Sequence, residues 1–206
     1  MADHANSASD YTALFPLLWK MGLHLQHVPA WLGVCFVLTT SLAVFMFLRA
    51  SQWSRSALAV LLLWATFVGA LSMKGFFTVT AGSPPRFAIA ILPPLSIIAA
   101  LFLTKGGRRW MDKIDHAKLT LVHVVRIPVE LVLFGLFLHG AVPQLMTFEG
   151  RNWDILSGIT APLVWFLGYR QHTLPRWVLF TWNLVCLGLL FNIVGNAILA
   201  APFDFQ

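Results

Sequence analysis

Charge is scarce in this chain. Only 11% of its 206 residues are Asp, Glu, Lys or Arg, where a soluble domain carries about 25%. That shortage excludes an ordinary water-exposed globule. Cysteine is almost missing as well. Cys35 and Cys186 fall in separate apolar runs at different depths, which argues against a disulfide scaffold and for packing. No His-Glu-x-x-His, Walker or dinucleotide motif occurs, so the chemistry those motifs support is not expected. The DILSGIT context of Ser157 is not a nucleophile motif. The last apolar run holds no lysine, which excludes a retinal Schiff base there. His24 and His27 have a spacing a metal could use, but no acid or cysteine stands near them. No catalytic residue, metal or cofactor is therefore expected, and the balance leans away from an enzyme.

What the chain has is hydrocarbon. Hydrophobic residues make up 58% of it, gathered into six long runs at roughly 31–49, 57–77, 86–104, 119–142, 152–169 and 177–201. Each comes near the ~20 residues needed to cross a ~30 Å hydrocarbon layer. In lipid such runs must be helices, because unpaired backbone groups find no water there. The expected fold is all-α: a polytopic transmembrane bundle of about six spans forming one integral membrane domain over 1–206. Segment 12–28 is apolar but broken by Pro16, Lys20, His24 and His27, which predicts an interfacial helix rather than a seventh span. The residues before it, with Asp3 and Asp10 and no positive region, read as a polar tail and not as a signal peptide.

The formal net charge of +6 reports orientation, not nucleic-acid binding. With the N-terminus outside, Arg49, Arg55, Lys105, Arg108, Arg109, Lys113, Lys118, Arg170 and Arg176 fall on the inner side. Only Lys20, Lys74, Arg86 and Arg151 fall on the outer side. That asymmetry is the positive-inside pattern of a cell inner-membrane protein, with both termini periplasmic. Trp19, Trp31 and Trp153 at outer boundaries, and Trp53, Trp110 and Trp177 at inner ones, complete an aromatic belt. The inner loop KGGRRWMDKIDHAK, 105–118, is amphipathic and basic, a topology anchor able to touch an anionic leaflet.

Charge inside a span costs roughly 2.5 kcal/mol or more, so the exceptions are informative. Glu130 is the one acid deep in a run and Arg126 the one base. On a helix Arg126 lies four residues before Glu130, and His123 seven before it, so the three form one polar stripe. The stripe must face protein or water. Pro128 lacks an N–H, so the Val124 carbonyl loses its helical donor and a kink is expected beside the charges. Arg126 and Glu130 could lock helix packing by neutralising one another. Alternatively Glu130 could change protonation in a ligand or proton site. Asn192 and Asn196 share a face of the sixth run and could hydrogen-bond across to the fourth. His139 lies nearly opposite His123 on its helix, which excludes a paired haem set. The loop PQLMTFEGRNWD crowds Glu149, Arg151, Asn152 and Asp154 into a short turn. A helix cap explains part of this; an outer mouth above the stripe would explain the rest.

The stretch HVVRIPVELVLFGLFLHGAVPQLMTFEGRNWDILSGITAP, with NAILAAPFDFQ at the end, resembles a family of bacterial multi-pass membrane proteins. RIPVE and MTFEGRNWDIL carry the resemblance, which covers spans four to six best. It implies a helical membrane fold, and it supplies no activity and no catalytic residues to carry over. Members continue past the APFDFQ-like stretch into another apolar span, so a shorter relative or a missing last helix is expected here. The leading functional expectation is binding or transport of a small solute or ion, proton-coupled through the Arg126/Glu130 pair. The rival is a non-catalytic accessory or assembly subunit of a membrane complex. Expected partners are the bilayer, a small solute, ion or proton, and a second membrane protein or another copy; nucleic acid is not expected.

Overall fold

A computed structural model describes residues 28–78 and 86–200. The expected interfacial segment 12–28, save Val28, lies outside the described residues, as do His24 and His27. Among the described residues every regular element is helical and none is a strand. The order is α1 (Ala30–Ala50), α2 (Arg55–Met73), α3 (Ala88–Leu103), α4 (Lys105–Met111), α5 (His116–Val122), α6 (Arg126–Leu138), α7 (Ile155–Trp165) and α8 (Arg176–Ala200). Short 3-10 turns occupy Phe76–Thr78, His123–Val125 and Gln144–Met146, and a π turn follows α7 at Phe166–Arg170.

Four helical stretches are long and apolar enough to cross a membrane: Ala30–Ala50, Arg55–Met73, His116–Leu138 and Arg176–Ile198. A fifth is added if α3 and α4, bent by 93° at Thr104, count as one broken span. The other two apolar runs of the sequence make shorter helices. The run 86–104 becomes the 16 residues of α3, and 152–169 becomes the 11 residues of α7 plus the π turn.

Local chemistry explains the breaks. The Ser54 hydroxyl accepts from the Ala57 amide at 3.3 Å and starts α2. Thr104 turns extended, with ψ 145°, ending α3; its hydroxyl then accepts from Gly107 N at 3.0 Å and starts α4. Asp115 starts α5 by accepting from the Lys118 amide at 3.1 Å, and it pairs with the Lys118 ammonium at 2.8 Å. That hydrogen-bonded ammonium holds the Asp115 carboxyl below its usual range. Pro93 and Pro94 sit inside α3 and withdraw two backbone donors without ending it. Pro128 acts more strongly. The stretch before it narrows to the 3-10 turn His123–Val125, where the Val124 carbonyl would otherwise await the missing N–H.

The described residues gather into two compact units. One takes the chain up to Ala43 and again from His123 onward; the other runs Val44–Val122. In the second, Trp110 Nε1 donates to Ser54 Oγ at 3.3 Å and Asp115 N donates to the Ala50 carbonyl at 2.9 Å. Neither α2 nor α3 holds a buried residue. In the first unit α7 packs on α6, on the 3-10 turn before it, and on α8. Close approach there needs Gly158. A Cβ at that position would meet Ile127 Cγ1 at 2.9 Å and the His123 carbonyl oxygen at 3.1 Å. Cys35 and Cys186 are both free thiols.

Candidate functional site

The polar stripe of the fourth apolar run is present, but its partners differ from the expected ones. Glu130 is fully buried. Arg126 does not neutralise it. The Arg126 guanidinium pairs instead with the Asp154 carboxylate, and its Nη1 also lies 3.5 Å from the Cys186 carbonyl of α8. Helical spacing correctly placed Arg126 and Glu130 on one face, yet the fork of an arginine reaches across to a neighbouring element as easily as along its own helix.

Glu130 takes its hydrogen bond from Asn152, whose Nδ2 donates to Glu130 Oε1. The same amide donates to the Met146 carbonyl at 3.1 Å, and its Oδ1 accepts from the Asp154 amide at 3.2 Å. Asn152 is fully buried and every part of its amide has a partner. Thr147, also fully buried, organises the loop behind it. Its carbonyl accepts from the amides of Gly150 and Asn152, and its hydroxyl donates to the Gln144 carbonyl at 2.9 Å. Phe148 closes the loop onto α6 by stacking on Phe134 with centroids 4.9 Å apart.

These bonds fix where the loop lies. Leu138 ends α6 eight residues beyond Glu130, about 12 Å further along the axis. Asn152 nevertheless reaches Glu130, and Asp154 reaches Arg126. Residues 143–154 therefore fold back alongside α6, and α7 begins beside the first turn of that helix, near the middle of the His116–Leu138 stretch. If α6 crosses a bilayer, the irregular backbone lies at membrane depth, where it must be covered by protein. Thr147 and Asn152 are completely buried, whereas Glu149, Arg151 and Trp153 of the same loop are exposed.

The asparagines of α8 hold the loop from its other side. Asn192 Nδ2 donates to the Arg151 carbonyl at 2.5 Å, and Asn196 Nδ2 lies 3.5 Å from the same oxygen. They bond to the loop and not, as expected, to the fourth run. The four residues read as an outer mouth divide in two. Asn152 and Asp154 are buried in the network, while the side chains of Glu149 and Arg151 are exposed.

His123 lies apart from this network. Its ring packs against Trp182 of α8 with centroids 5.0 Å apart, and its Nδ1 is buried with no hydrogen-bond partner. Trp182 Nε1 donates to Thr160 Oγ1 at 3.0 Å, tying α8 to α7. His139 is bonded locally, its Nδ1 lying 2.8 Å from the Gly135 carbonyl. Sequence reasoning passed over Thr147, Ser157 and Trp182 as site residues. Ser157 donates to the Asp154 carbonyl at 2.6 Å and so fixes the start of α7.

The chemistry follows from the charges. Arg126 and Asp154 cancel, which leaves the Glu130 carboxyl without a cation. One of its oxygens, Oε1, is hydrogen-bonded; the other, Oε2, is buried and unpartnered. A buried carboxylate in that condition is costly. A proton or a cation at Oε2 would restore neutrality. Among the described residues no group of three metal-ligating side chains surrounds it. Comparison with protein-family models, curated proteins and solved structures finds no match to this chain in any of the three.

Proposed function

We propose that this protein is a multi-pass membrane protein that binds or transports a small solute or ion, with Glu130 exchanging a proton or meeting a cation as the cycle proceeds. The supporting observation is the Glu130 carboxyl: fully buried, with Oε2 unpartnered, beside an ion pair that excludes it. The folded-back loop 143–154 would be the moving part, since the side-chain hydrogen bonds that join it to α6 and α8 fall on Arg151, Asn152 and Asp154 at one end of it. In this reading the chain crosses the inner membrane six times with both termini periplasmic. The 16 residues of α3, and the same number from Ile155 to Arg170, each cover about 24 Å.

The test is charge movement. Proteoliposomes on a solid-supported membrane are pulsed with Na+, K+ and a panel of small carboxylates and amines at two pH values. The expected result is a transient current in wild type and in the exposed control Asp112→Asn, and its loss in Glu130→Gln. A current that survives Glu130→Gln, or its absence from wild type across the panel, would overturn the reading.

A second reading, an accessory or assembly subunit, is favoured by one observation. Helices α2 and α3 bury no residue within the chain, which leaves their sides free for another helix. The mass of the detergent-solubilised particle tests it; a single chain counts against self-assembly.

A further inference from the structure

We propose that the Val44–Val122 unit carries a binding site for one anionic phospholipid, its acyl chain in a groove between α2, α3 and α4 and its phosphate at the basic side of α4. This goes beyond the Glu130 reading and does not depend on it. The groove encloses a cavity of about 510 Å³, inside the range of small-molecule sites. Its walls include Leu61 and Trp64 of α2, Ile97 and Phe102 of α3, and Trp110 and Met111 of α4. Ser56 offers the one side-chain hydroxyl on the lining, and it is already bonded to Ser54 Oγ at 3.0 Å. Polar solutes need convergent donors and acceptors, and these walls supply none. Hydrocarbon is what they fit.

The rim selects the headgroup. Helix α4 leaves α3 at 93°, the angle of a helix turning to lie along an interface. Gly107 packs against the Leu101 backbone while Trp110, Met111 and Ile114 face the groove. Within α4 the 100° turn per residue points Lys105, Arg108 and Arg109 away from the groove-facing Trp110 and Met111, and Lys113 follows just past the helix end. All four are exposed, and among the described residues none is in an ion pair. Asp112 is the only acid among them. The Trp110 bond to Ser54 fixes α4 over the groove, so one short helix presents apolar side chains to the slot and unpaired cations on its outer face. An anionic phospholipid is complementary to both; a zwitterionic one matches only the slot.

Native mass spectrometry of the full chain in zwitterionic detergent, titrated with dioleoylphosphatidylglycerol or dioleoylphosphatidylcholine, tests the site. Each basic residue near an anionic lipid surface strengthens attachment about fivefold. The double variant Arg108→Gln/Arg109→Gln is therefore expected to lose phosphatidylglycerol affinity by about tenfold or more, with phosphatidylcholine unaffected. Ile98→Trp, which fills the groove from a half-exposed position, is expected to lower binding of both lipids. Unchanged melting temperatures show that the variants are folded. Equal retention of the two lipids by wild type, or phosphatidylglycerol binding unmoved by either variant, would overturn the proposal.

Discussion

Arg126 is paired with Asp154, 28 residues along the chain, and not with Glu130 one turn away on its own helix. One ion pair thereby ties α6 to the start of α7, and the most buried acid among the described residues is left to an asparagine.

Removing one member of that pair strands the other. Asp154→Asn leaves a mostly buried guanidinium without a counter-charge and is expected to lower stability by about 3 kcal/mol. The double variant Arg126→Met/Asp154→Leu removes both charges and is expected to recover most of the loss. Thermal unfolding in detergent measures both. A double variant no more stable than Asp154→Asn would mean that the pair does more than cancel charge.

Asn152 joins Glu130, the Met146 carbonyl and the Asp154 amide. Asn152→Ala leaves several buried polar groups unmatched, at about 1–3 kcal/mol for each. The expected result is faster hydrogen exchange across 143–154, with α2 and α3 unchanged. Uniform exchange rates would show that the loop is held by other contacts.

Gly158 allows α7 to press against the 3-10 turn before α6. In Gly158→Ala the new methyl meets Ile127 N at 3.2 Å and the His123 carbonyl oxygen at 3.1 Å, backbone atoms that yield poorly. A loss of about 1–3 kcal/mol is expected on overpacking grounds, read as a lower melting temperature.

Asp115 gives a pH-dependent prediction outside the apolar runs. Its carboxyl is held below the usual range by the Lys118 hydrogen bond. A lowered acid contributes stability that is present above its unfolded value and lost as pH falls through the folded one. The stability difference between wild type and Asp115→Asn is therefore expected to shrink in acid. A difference that stays constant with pH would mean the ion pair contributes nothing.

Much of the fold was legible because length and apolar content suffice to define a long helix. The runs 31–49, 57–77, 119–142 and 177–201 correspond to the four longest helical stretches, to within a few residues. Hydropathy could not show that 152–169 starts beside the middle of the His116–Leu138 stretch, because a loop folded back into protein needs no apolar sequence of its own. The stripe of Arg126 and Glu130 was legible from helical period. Its partners were not, since the period compares residues within one helix and the bonds to Asn152 and Asp154 cross to a separate segment. The polar crowding at Glu149–Asp154 was visible, but only its packing shows that two of those residues are exposed and two are buried.

The central claim is that Glu130 is the exchangeable charge of the site, and infrared difference spectroscopy of the purified protein tests it most directly. As pH is stepped, a carboxyl C=O band that appears and disappears in wild type, and is missing in Glu130→Gln, is the expected result. Identical difference spectra for the two proteins, with only the melting temperature lowered, would contradict it and leave Glu130 as a packing residue.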